Sequence, residues 1–496
     1  MRCTWFDGGF DGARVVFALL VVCAISAPAS AQTAAAAGKI PITSLSEEAR
    51  ALYLKGRDLA ERLRATDARR FYEQAAAKDT GFALAYVGLA NTSGTNREFV
   101  EAVTKAVALA PKVSEGERHM VLALDAGLKN DPAGVLRHYS ELVALFPKDE
   151  RAQTLLANTY FGRQEYQRAI DHFVKATEIN ASFSQPYNQM GYAYRFLGEN
   201  GQAETAFKKY IELIPDDPNP YDSYAELLMK LGRFDESIVM YNKALAIDAN
   251  FVASYIGIGN DQLFKGQPAA ARETFAKITK VARNTGEKRT THFWTAASYV
   301  YEGATDKALA EIEANFALSG AEQDGGTQSG DLNLMGDILR EAGRVDDALV
   351  RYKKAVDVSE AASVPPEAKA ATRRNYLFEQ ARAAVAKHDL DTAKAKAAAY
   401  GTEVAARKVP FELRQQQEVE GLIALEEKRY AAAAQVFAKA NQQDPRILLY
   451  TAVALKGAGD TARAAEMATK AATFNQLSFN YAYVRAKALK MQGSSH

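Results

Sequence analysis

The sequence contains very little cysteine. Only Cys3 and Cys23 occur among its 496 residues, and both lie close to the beginning. A chain cleaved after Ala31 would have no cysteine, which excludes disulfides, thiolate metal sites and cysteine nucleophiles together. The stability of such a chain has to come from packing alone.

Net charge is also nearly absent. The sequence has 61 basic and 60 acidic residues, so it creates no strong overall field. Nucleic acid and anionic membrane surfaces attract proteins through such a field. We therefore expect neither of them as a partner.

Sequence motifs with known chemistry are missing as well. The histidines are scattered without a local metal-ligand pair, and His138 is interpreted as a solvated flank residue. No phosphate loop, nucleophile elbow or dinucleotide fingerprint occurs. The stretch 324–331 offers oxygens, but it lacks the alternating acidic ligands and closing Glu of a calcium loop and is interpreted as a connector. We expect no catalytic residue, cofactor or metal, and the prediction is that the protein is not an enzyme.

One apolar run of moderate length lies near the start. It extends from Val15 to Ile25 after Arg14, and the small residues Ala29, Ser30 and Ala31 follow it. This pattern predicts a cleaved signal peptide over residues 1–31. Because the run is too short for a permanent membrane helix, we expect an exported protein, periplasmic or secreted, without a stable transmembrane anchor.

Two alternatives to a simple signal peptide stay open. Cys23 follows Leu20, Val21 and Val22, so it is a candidate for acylation as in a lipoprotein, although Val22 is bulky for that processing. The acidic residues of positions 7 and 11 are unusual in a region that is normally positive, which is also consistent with a misassigned start.

A period of 34 residues organises the rest of the sequence. Two columns hold small residues, and a third holds an aromatic residue four positions after the second column. The columns are Ala157, Gly191, Ala225 and Gly259; Ala169, Ala203, Ser237 and Ala271; and Phe173, Phe207, Tyr241 and Phe275. A small residue lets the second helix of a pair approach the first, and the ring is expected to fill the space between one helix pair and the next. A later copy with the same pattern contains Gly336, Ala348 and Tyr352.

These columns resemble those of the tetratricopeptide repeat family. The resemblance implies an all-α, right-handed superhelical solenoid of about twelve helix-turn-helix units. The lead-in from Ile40 to Arg50, followed by Thr66–Arg69, is also similar to uncharacterised secreted bacterial repeat proteins. What the family implies is a surface that binds proteins or peptides, usually in the concave groove.

Breaks in the period predict the organisation of the chain. Residues 32–44 are expected to form a flexible tether, and Ser44 with Glu47 has the spacing of a capping box. A regular array is predicted over residues 45–285 and a less regular one over 289–475, since Pro365 and Pro366 interrupt the rhythm. A solvent-facing capping helix is predicted over residues 478–491.

One polar stripe is not needed for packing. First-helix positions with spacings of three and four residues share a helix face, and in this family that face lines the groove. The predicted groove residues are Asn91, Arg151, Thr154, Asn158, Gln185, Asn188, Tyr192, Arg195, Asn219, Asp222, Glu226, Asn260, Asn333, Asp337, Arg340, Asn375 and Arg382. An asparagine amide both donates and accepts, so a ladder of them can pair with the main chain of an extended peptide. The alternative is that these residues only keep the inner wall soluble.

The sequence therefore predicts a non-catalytic, exported scaffold or adaptor. Its expected partner is a protein or an extended peptide bound in the groove, and its oligomeric state is left open. The alternative function is a structural component of envelope assembly that docks through its convex face or its ends. Small-molecule or glycan binding in the groove stays open as well.

Overall fold

The computed structural model describes residues 38–492, and this part of the chain is helical throughout. It contains 25 helices and no strand among the described residues. They form twelve consecutive pairs and one last helix, which confirms the predicted all-α array of about twelve units. The predicted signal peptide and positions 32–37 of the predicted tether lie outside the described residues.

The helix bounds are as follows. The first eleven helices are α1 Glu47–Glu61, α2 Ala65–Lys78, α3 Ala83–Asn91, α4 Asn96–Leu109, α5 Glu115–Leu128, α6 Pro132–Leu145, α7 Glu150–Gly162, α8 Tyr166–Ile179, α9 Gln185–Leu197, α10 Asn200–Leu213 and α11 Pro218–Lys230. The remaining helices are α12 Phe234–Ile247, α13 Val252–Phe264, α14 Pro268–Val281, α15 Thr285–Tyr301, α16 Thr305–Ala321, α17 Gly325–Glu341, α18 Val345–Ala361, α19 Pro366–Ala386, α20 Leu390–Ala405, α21 Pro410–Glu426, α22 Tyr430–Phe437, α23 Pro445–Gly457, α24 Thr461–Ala472 and α25 Phe479–Met491.

These helices belong to two compact units. The first unit comprises the described residues up to Pro220 together with Pro365–Ala368. The second comprises Tyr221–Val364 together with the described residues from Lys369 onward. Each unit is considered by itself below.

Close packing within a helix pair rests on a glycine and a ring. A Cβ added to Gly191 of α9 would lie 2.6 Å from ring atoms of Phe207 on α10, and one added to Gly336 would lie 2.3 Å from the Tyr352 ring. Both rings are almost fully buried. Because real Cβ contacts are not that short, the Phe207 and Tyr352 rings could not occupy these positions if Gly191 and Gly336 carried a Cβ.

The turn inside a helix pair also repeats. Gly198, Gly232 and Gly266 lie 34 residues apart and have φ angles of 82°, 75° and 77°. This left-handed conformation favours glycine, because other residues strain their Cβ there. The turn glycines thus follow the same period as the packing columns.

Longer helices explain why the 34-residue rhythm is lost in the middle of the chain. The helices from α7 to α14 have 13 or 14 residues each. The four helices from α15 to α18 have 17 residues each, and α19 has 21. About one extra turn per helix lengthens each repeat beyond the regular period.

Residues 38–44 of the predicted tether are held against the first unit instead of being free. Ile42 is 9% exposed, and the backbone N–H of Thr43 donates to the Glu117 carboxylate at 2.7 Å. The prediction for Ser44 is wrong, since its hydroxyl donates to Asp79 and Ser46 caps α1 by accepting from the N–H of Ala49.

The predicted capping helix exists as α25 and exposes Lys487 and Lys490, but its aromatic residues do not face solvent. Tyr481, Tyr483 and Val484 are 0%, 7% and 1% exposed. Their rings and methyl groups belong to the hydrophobic core of the second unit. The aromatic residues that the sequence analysis assigned to a capping helix are therefore core residues.

The described helices are all too short or too polar for the hydrocarbon layer of a membrane, so no candidate span is found among residues 38–492.

Candidate functional site

In the first unit, the predicted stripe follows the first helices α7 and α9. Asn158 lies half-buried on α7. Asn188, Tyr192 and Arg195 lie on α9 at spacings of four and three residues, so they share one face of that helix. This surface of α7 and α9 is called the α7–α9 wall below.

Asn188 is the unusual residue of the α7–α9 wall. Its side chain is 1% exposed. Neither its amide oxygen nor its amide nitrogen has a hydrogen-bond partner within the described residues 38–492. Burying such a group without a partner costs about 1–3 kcal/mol, so the free protein holds an amide whose donor and acceptor are both unused.

Aromatic rings and a guanidinium group contact one another farther along the same helix face. The Tyr192 ring meets the Phe207 ring edge-on, with centroids 5.2 Å apart. The Arg195 guanidinium lies 4.8 Å from the Tyr192 ring centroid and 5.2 Å from that of Phe196, which is the geometry of a cation–π contact. Helix side chains lean toward the N-terminus, so Tyr192 covers the turn that carries Asn188.

Arg151 has a structural role within the first unit. Its guanidinium donates to the two carboxylate oxygens of Glu61 at 2.6 and 3.0 Å and to Glu150 at 2.7 Å. It also lies 5.1 Å from the ring centroid of Phe183. A side chain with these contacts ties α7 to α1 and has little left to offer a ligand.

The other predicted residues of the first unit differ in their surroundings. Asn219 is buried and accepts a hydrogen bond from the Tyr210 hydroxyl at 3.1 Å. Thr154 donates back to the Glu150 carbonyl within α7. Gln185 is half-buried in the first turn of α9, and Asn91 is exposed at the end of α3.

In the second unit, the predicted stripe is largely buried. Asp222 is 5% exposed and accepts from the Ser254 hydroxyl at 2.7 Å. Burial, followed by the nearby Glu226 carboxylate, raises the pKa of Asp222 to about 7. Asn260 is 1% exposed and donates to the Ile256 carbonyl of its own helix at 2.9 Å.

Farther along the second unit, the stripe becomes a buried ion network. Asp337 contacts Arg340 at 3.1 Å and Arg382 at 3.3 Å, and Arg382 also contacts Glu379 at 3.0 Å. Although burial opposes it, Arg382 and then Arg340 hold the pKa of Asp337 well below its usual value. Asn333 lies on α17 and Asn375 on α19, and both are half-buried. The charges of Asp337, Arg340, Glu379 and Arg382 pair with one another inside the second unit and stabilise its fold.

Helix α25 lies on the first helices of the second unit. The Phe479 ring packs on Phe293 of α15 and the Tyr481 ring on Phe264 of α13, with centroids 5.0 and 5.2 Å apart. Arg485 donates to the Phe264 carbonyl at 2.8 Å. Helix α25 is thus packed against α13 and α15 within the second unit.

An extended segment of the chain is held in the first unit by carboxylates. The backbone N–H groups of Ile40, Thr43 and Leu45 donate to Asp149, Glu117 and Asp79 at 3.0, 2.7 and 2.8 Å. The sequence analysis missed these three acids. Asp149 is the N-cap of α7, Glu117 lies in the first turn of α5, and Asp79 follows the last residue of α2.

A histidine pair was also missed. His119 of α5 and His138 of α6 face each other with their Nδ1 atoms 3.2 Å apart, so His138 is not the solvated flank residue that was expected. They are 19 residues apart in the sequence. The same separation joins His172 to Gln153 and His292 to Glu311, so residues i and i+19 face each other across a helix pair.

One family model and several curated proteins match parts of the sequence. The tetratricopeptide repeat family model matches residues 184–217 and 219–251. Protein O-mannosyl-transferase TMTC3 of Homo sapiens is 24% identical over 139 residues, which cover 25% of this chain and 15% of that protein. The STIP1 homolog of Dictyostelium discoideum is 34% identical over 91 residues, covering 18% and 16%. The chain thus spans a small part of the curated relatives it matches.

Solved structures are similar at low identity. A tetratricopeptide repeat protein from Parabacteroides merdae is 15% identical with a TM-score of 0.35, covering 55% of this chain and 94% of that one. MamA from Desulfovibrio magneticus is 16% identical with a TM-score of 0.30, covering 34% and 97%.

Proposed function

We propose that this chain, which is built from tetratricopeptide repeats, is a non-catalytic adaptor that holds an extended polypeptide on the α7–α9 wall. The family model matches residues 184–217, which include α9 and its Asn188, Tyr192 and Arg195. Proteins of this family bind peptides or proteins, and the proposal places that activity on one wall of the first unit.

The buried amide of Asn188 is the observation that carries the proposal. Its donor and its acceptor are both unused within the described residues, at 1% exposure. A main-chain peptide group presents one N–H and one C=O, so a bound strand can satisfy both atoms at once. Such pairing depends on the main chain and not on the side chains of the partner.

Tyr192 and Arg195 complete the surface around this amide. Because Tyr192 covers the turn of Asn188, a bound strand has to move the ring aside, and the ring then packs on the strand. Arg195 already lies on the rings of Tyr192 and Phe196, which keeps its guanidinium on this wall. Tyrosine and arginine are frequent among the residues that dominate binding energies.

The contacts of the N-terminal segment support this mode of binding. Ile40, Thr43 and Leu45 donate their backbone N–H groups to the side chains of Asp149, Glu117 and Asp79. The first unit therefore already holds one extended stretch of polypeptide through its main chain. A partner strand on the α7–α9 wall would be held by the same kind of bond.

The matched comparison for the Asn188 amide is Asn260 of the second unit. Both are asparagines on the predicted stripe and both are 1% exposed, but the Asn260 amide is already bonded to Ile256.

Peptides selected from a displayed library of random unstructured sequences provide the probe. Asn188→Leu is expected to weaken their binding by about 5- to 150-fold, since two lost bonds are worth roughly 0.5–1.5 kcal/mol each.

Asn260→Leu is the control and is expected to leave the binding constant unchanged. If both variants bind the selected peptides as the unaltered chain does, the α7–α9 wall is not the site. Binding that is lost instead on exchanging exposed outer residues, such as Lys208→Glu with Lys209→Glu, would favour the docking function in envelope assembly.

The proposal includes export of the chain through residues 1–31. It rests on the apolar run and on the small residues at positions 29–31. In a Gram-negative host the mature protein is expected to begin at Gln32 and to appear in the soluble periplasmic fraction. N-terminal sequencing that finds an acylated Cys23, or an intact Met1 in the cytoplasm, would overturn this part.

A further inference from the structure

We propose that His119, His138 and Glu141 of the first unit form a binding site for a divalent zinc-like metal ion. His119 lies on α5, and His138 and Glu141 lie one turn apart on α6. The three side chains meet across one helix pair, and none of them belongs to the α7–α9 wall.

The distances among the three ligand atoms fit a tetrahedral ion. The two Nδ1 atoms are 3.2 Å apart, and the Glu141 Oε2 atom lies 3.3 Å from His119 Nδ1 and 3.4 Å from His138 Nδ1. An ion about 2.0–2.1 Å from each ligand of a tetrahedron separates those ligands by about 3.3–3.4 Å. The three separations therefore match one face of such a tetrahedron.

The chemistry of the ligands agrees with this geometry. Two imidazole nitrogens and one carboxylate oxygen are a ligand set that zinc uses, with the fourth position left to water. The side chains of His119 and His138 are 13% and 15% exposed, whereas that of Glu141 is 46% exposed. The two histidines are thus held by packing, and the side of Glu141 gives an ion a path from solvent.

Without an ion, the histidine pair is constrained. Two Nδ1 atoms at 3.2 Å cannot both carry a proton, so at least one ring has to present a lone pair there. Neutral imidazole is the form that binds metals.

One neighbouring charge opposes an ion. The Arg137 Nη2 atom lies 3.5 Å from the Nε2 atom of His138, on the ring edge away from the proposed site. The contact is exposed, so this guanidinium can turn into solvent when an ion binds. Arg137→Gln is therefore expected to strengthen metal binding.

Two other histidines that contact a side chain across their own helix pair provide matched controls. His292 faces Glu311 at 2.7 Å across its own helix pair with the same 19-residue separation. His172 faces Gln153 at 2.8 Å in the same way. Each of these pairs offers two side chains, whereas the proposed site offers three.

Metal titration of the full chain tests the proposal. The protein carries no histidine tag and has Cys3→Ser and Cys23→Ser, so that neither thiols nor a tag can bind the ion. Zinc chloride in a calorimeter is expected to bind at one ion per chain, and cobalt(II) chloride to give the visible absorption of a four-coordinate complex. Zinc is also expected to raise the melting temperature, because it binds the folded state.

The site variants decide the outcome. His119→Gln, His138→Gln and Glu141→Gln are each expected to weaken binding by more than the roughly 10- to 100-fold that loss of an outer-shell partner costs. His292→Gln is expected to have no effect. No binding by the full chain, or equal losses in His292→Gln, would show that the three residues are only a hydrogen-bonded cluster. If circular dichroism shows that a histidine variant unfolds, Glu141→Gln at the exposed edge decides alone.

Discussion

Replacing Asn188 by leucine is expected to stabilise the free protein. Leucine has nearly the same shape as asparagine, and it removes a buried amide with no partner within the described residues. An unsatisfied buried polar group costs about 1–3 kcal/mol, and its replacement by an apolar group of equal shape is neutral or stabilising. The upper limit of the expected gain is therefore about 3 kcal/mol.

Hydrogen exchange by mass spectrometry measures this gain where it arises. The stability of a repeat array is nearly a sum over its units and their neighbours, so the effect is expected in α7 to α10. A gain of about 1–3 kcal/mol slows exchange there by roughly 5- to 150-fold. Asn260→Leu is expected to destabilise its own repeat and to speed exchange there, because the hydrogen bond from Asn260 to Ile256 is lost.

Faster exchange in α7 to α10 of Asn188→Leu would refute this reasoning. It would mean that the folded protein already satisfies the Asn188 amide, for example through an ordered water molecule. A stabilised variant that also loses peptide binding would show that the chain keeps a polar group at this position for function and not for folding.

Three further predictions concern the fold. Gly191→Leu is expected to destabilise the first unit by about 1–3 kcal/mol in urea denaturation, because its side chain would collide with the Phe207 ring. Burial raises the pKa of Asp222 to about 7. The free energy of unfolding of the second unit, measured in urea, is therefore expected to fall as pH rises from about 4 to 7, and Asp222→Asn is expected to reduce this dependence on pH. Tyr481→Ala removes a ring with 0% exposure and is expected to cost about 3–5 kcal/mol, seen as faster hydrogen exchange confined to the second unit. An unchanged midpoint in urea, an unaltered pH profile or unchanged exchange would contradict the respective prediction.

The repeat pattern predicted the fold because its cause is local. A ring such as Phe207 needs a small residue on the preceding helix, and Gly191 provides it sixteen residues earlier. The turn glycine Gly198 repeats for a similar reason, since its φ of 82° is unfavourable for other residues. Constraints of this kind act within one repeat, so they are visible in the sequence as a period.

The position of α25 could not be predicted in the same way. Tyr481 contacts Phe264 although more than 200 residues separate them. The mixture of aromatic and basic residues in this helix is typical of a half-exposed surface helix. What decides its burial is the apolar surface that Phe264 and Phe293 offer, and no pattern within α25 reports it.

The candidate site was predicted in part. The helical spacing placed Asn188 and Tyr192 on one face of α9, but it could not show that the Asn188 amide is buried without a partner. It also could not separate Asn188 from Asn260, whose amide is bonded within its own helix. The pair of His119 and His138 was missed because the search considered spacings within one helix and not across a helix pair.

The central claim is that Asn188 binds the main chain of a partner strand, and a double-mutant cycle tests it most directly. One selected peptide is prepared with successive amide groups replaced by esters, which removes one N–H at a time. The binding of each ester is measured with the unaltered chain and with Asn188→Leu. At one peptide position the ester is expected to weaken binding to the unaltered chain by about 2- to 12-fold, and to have no effect on the variant. Ester losses that are the same in both proteins at every position would contradict the claim.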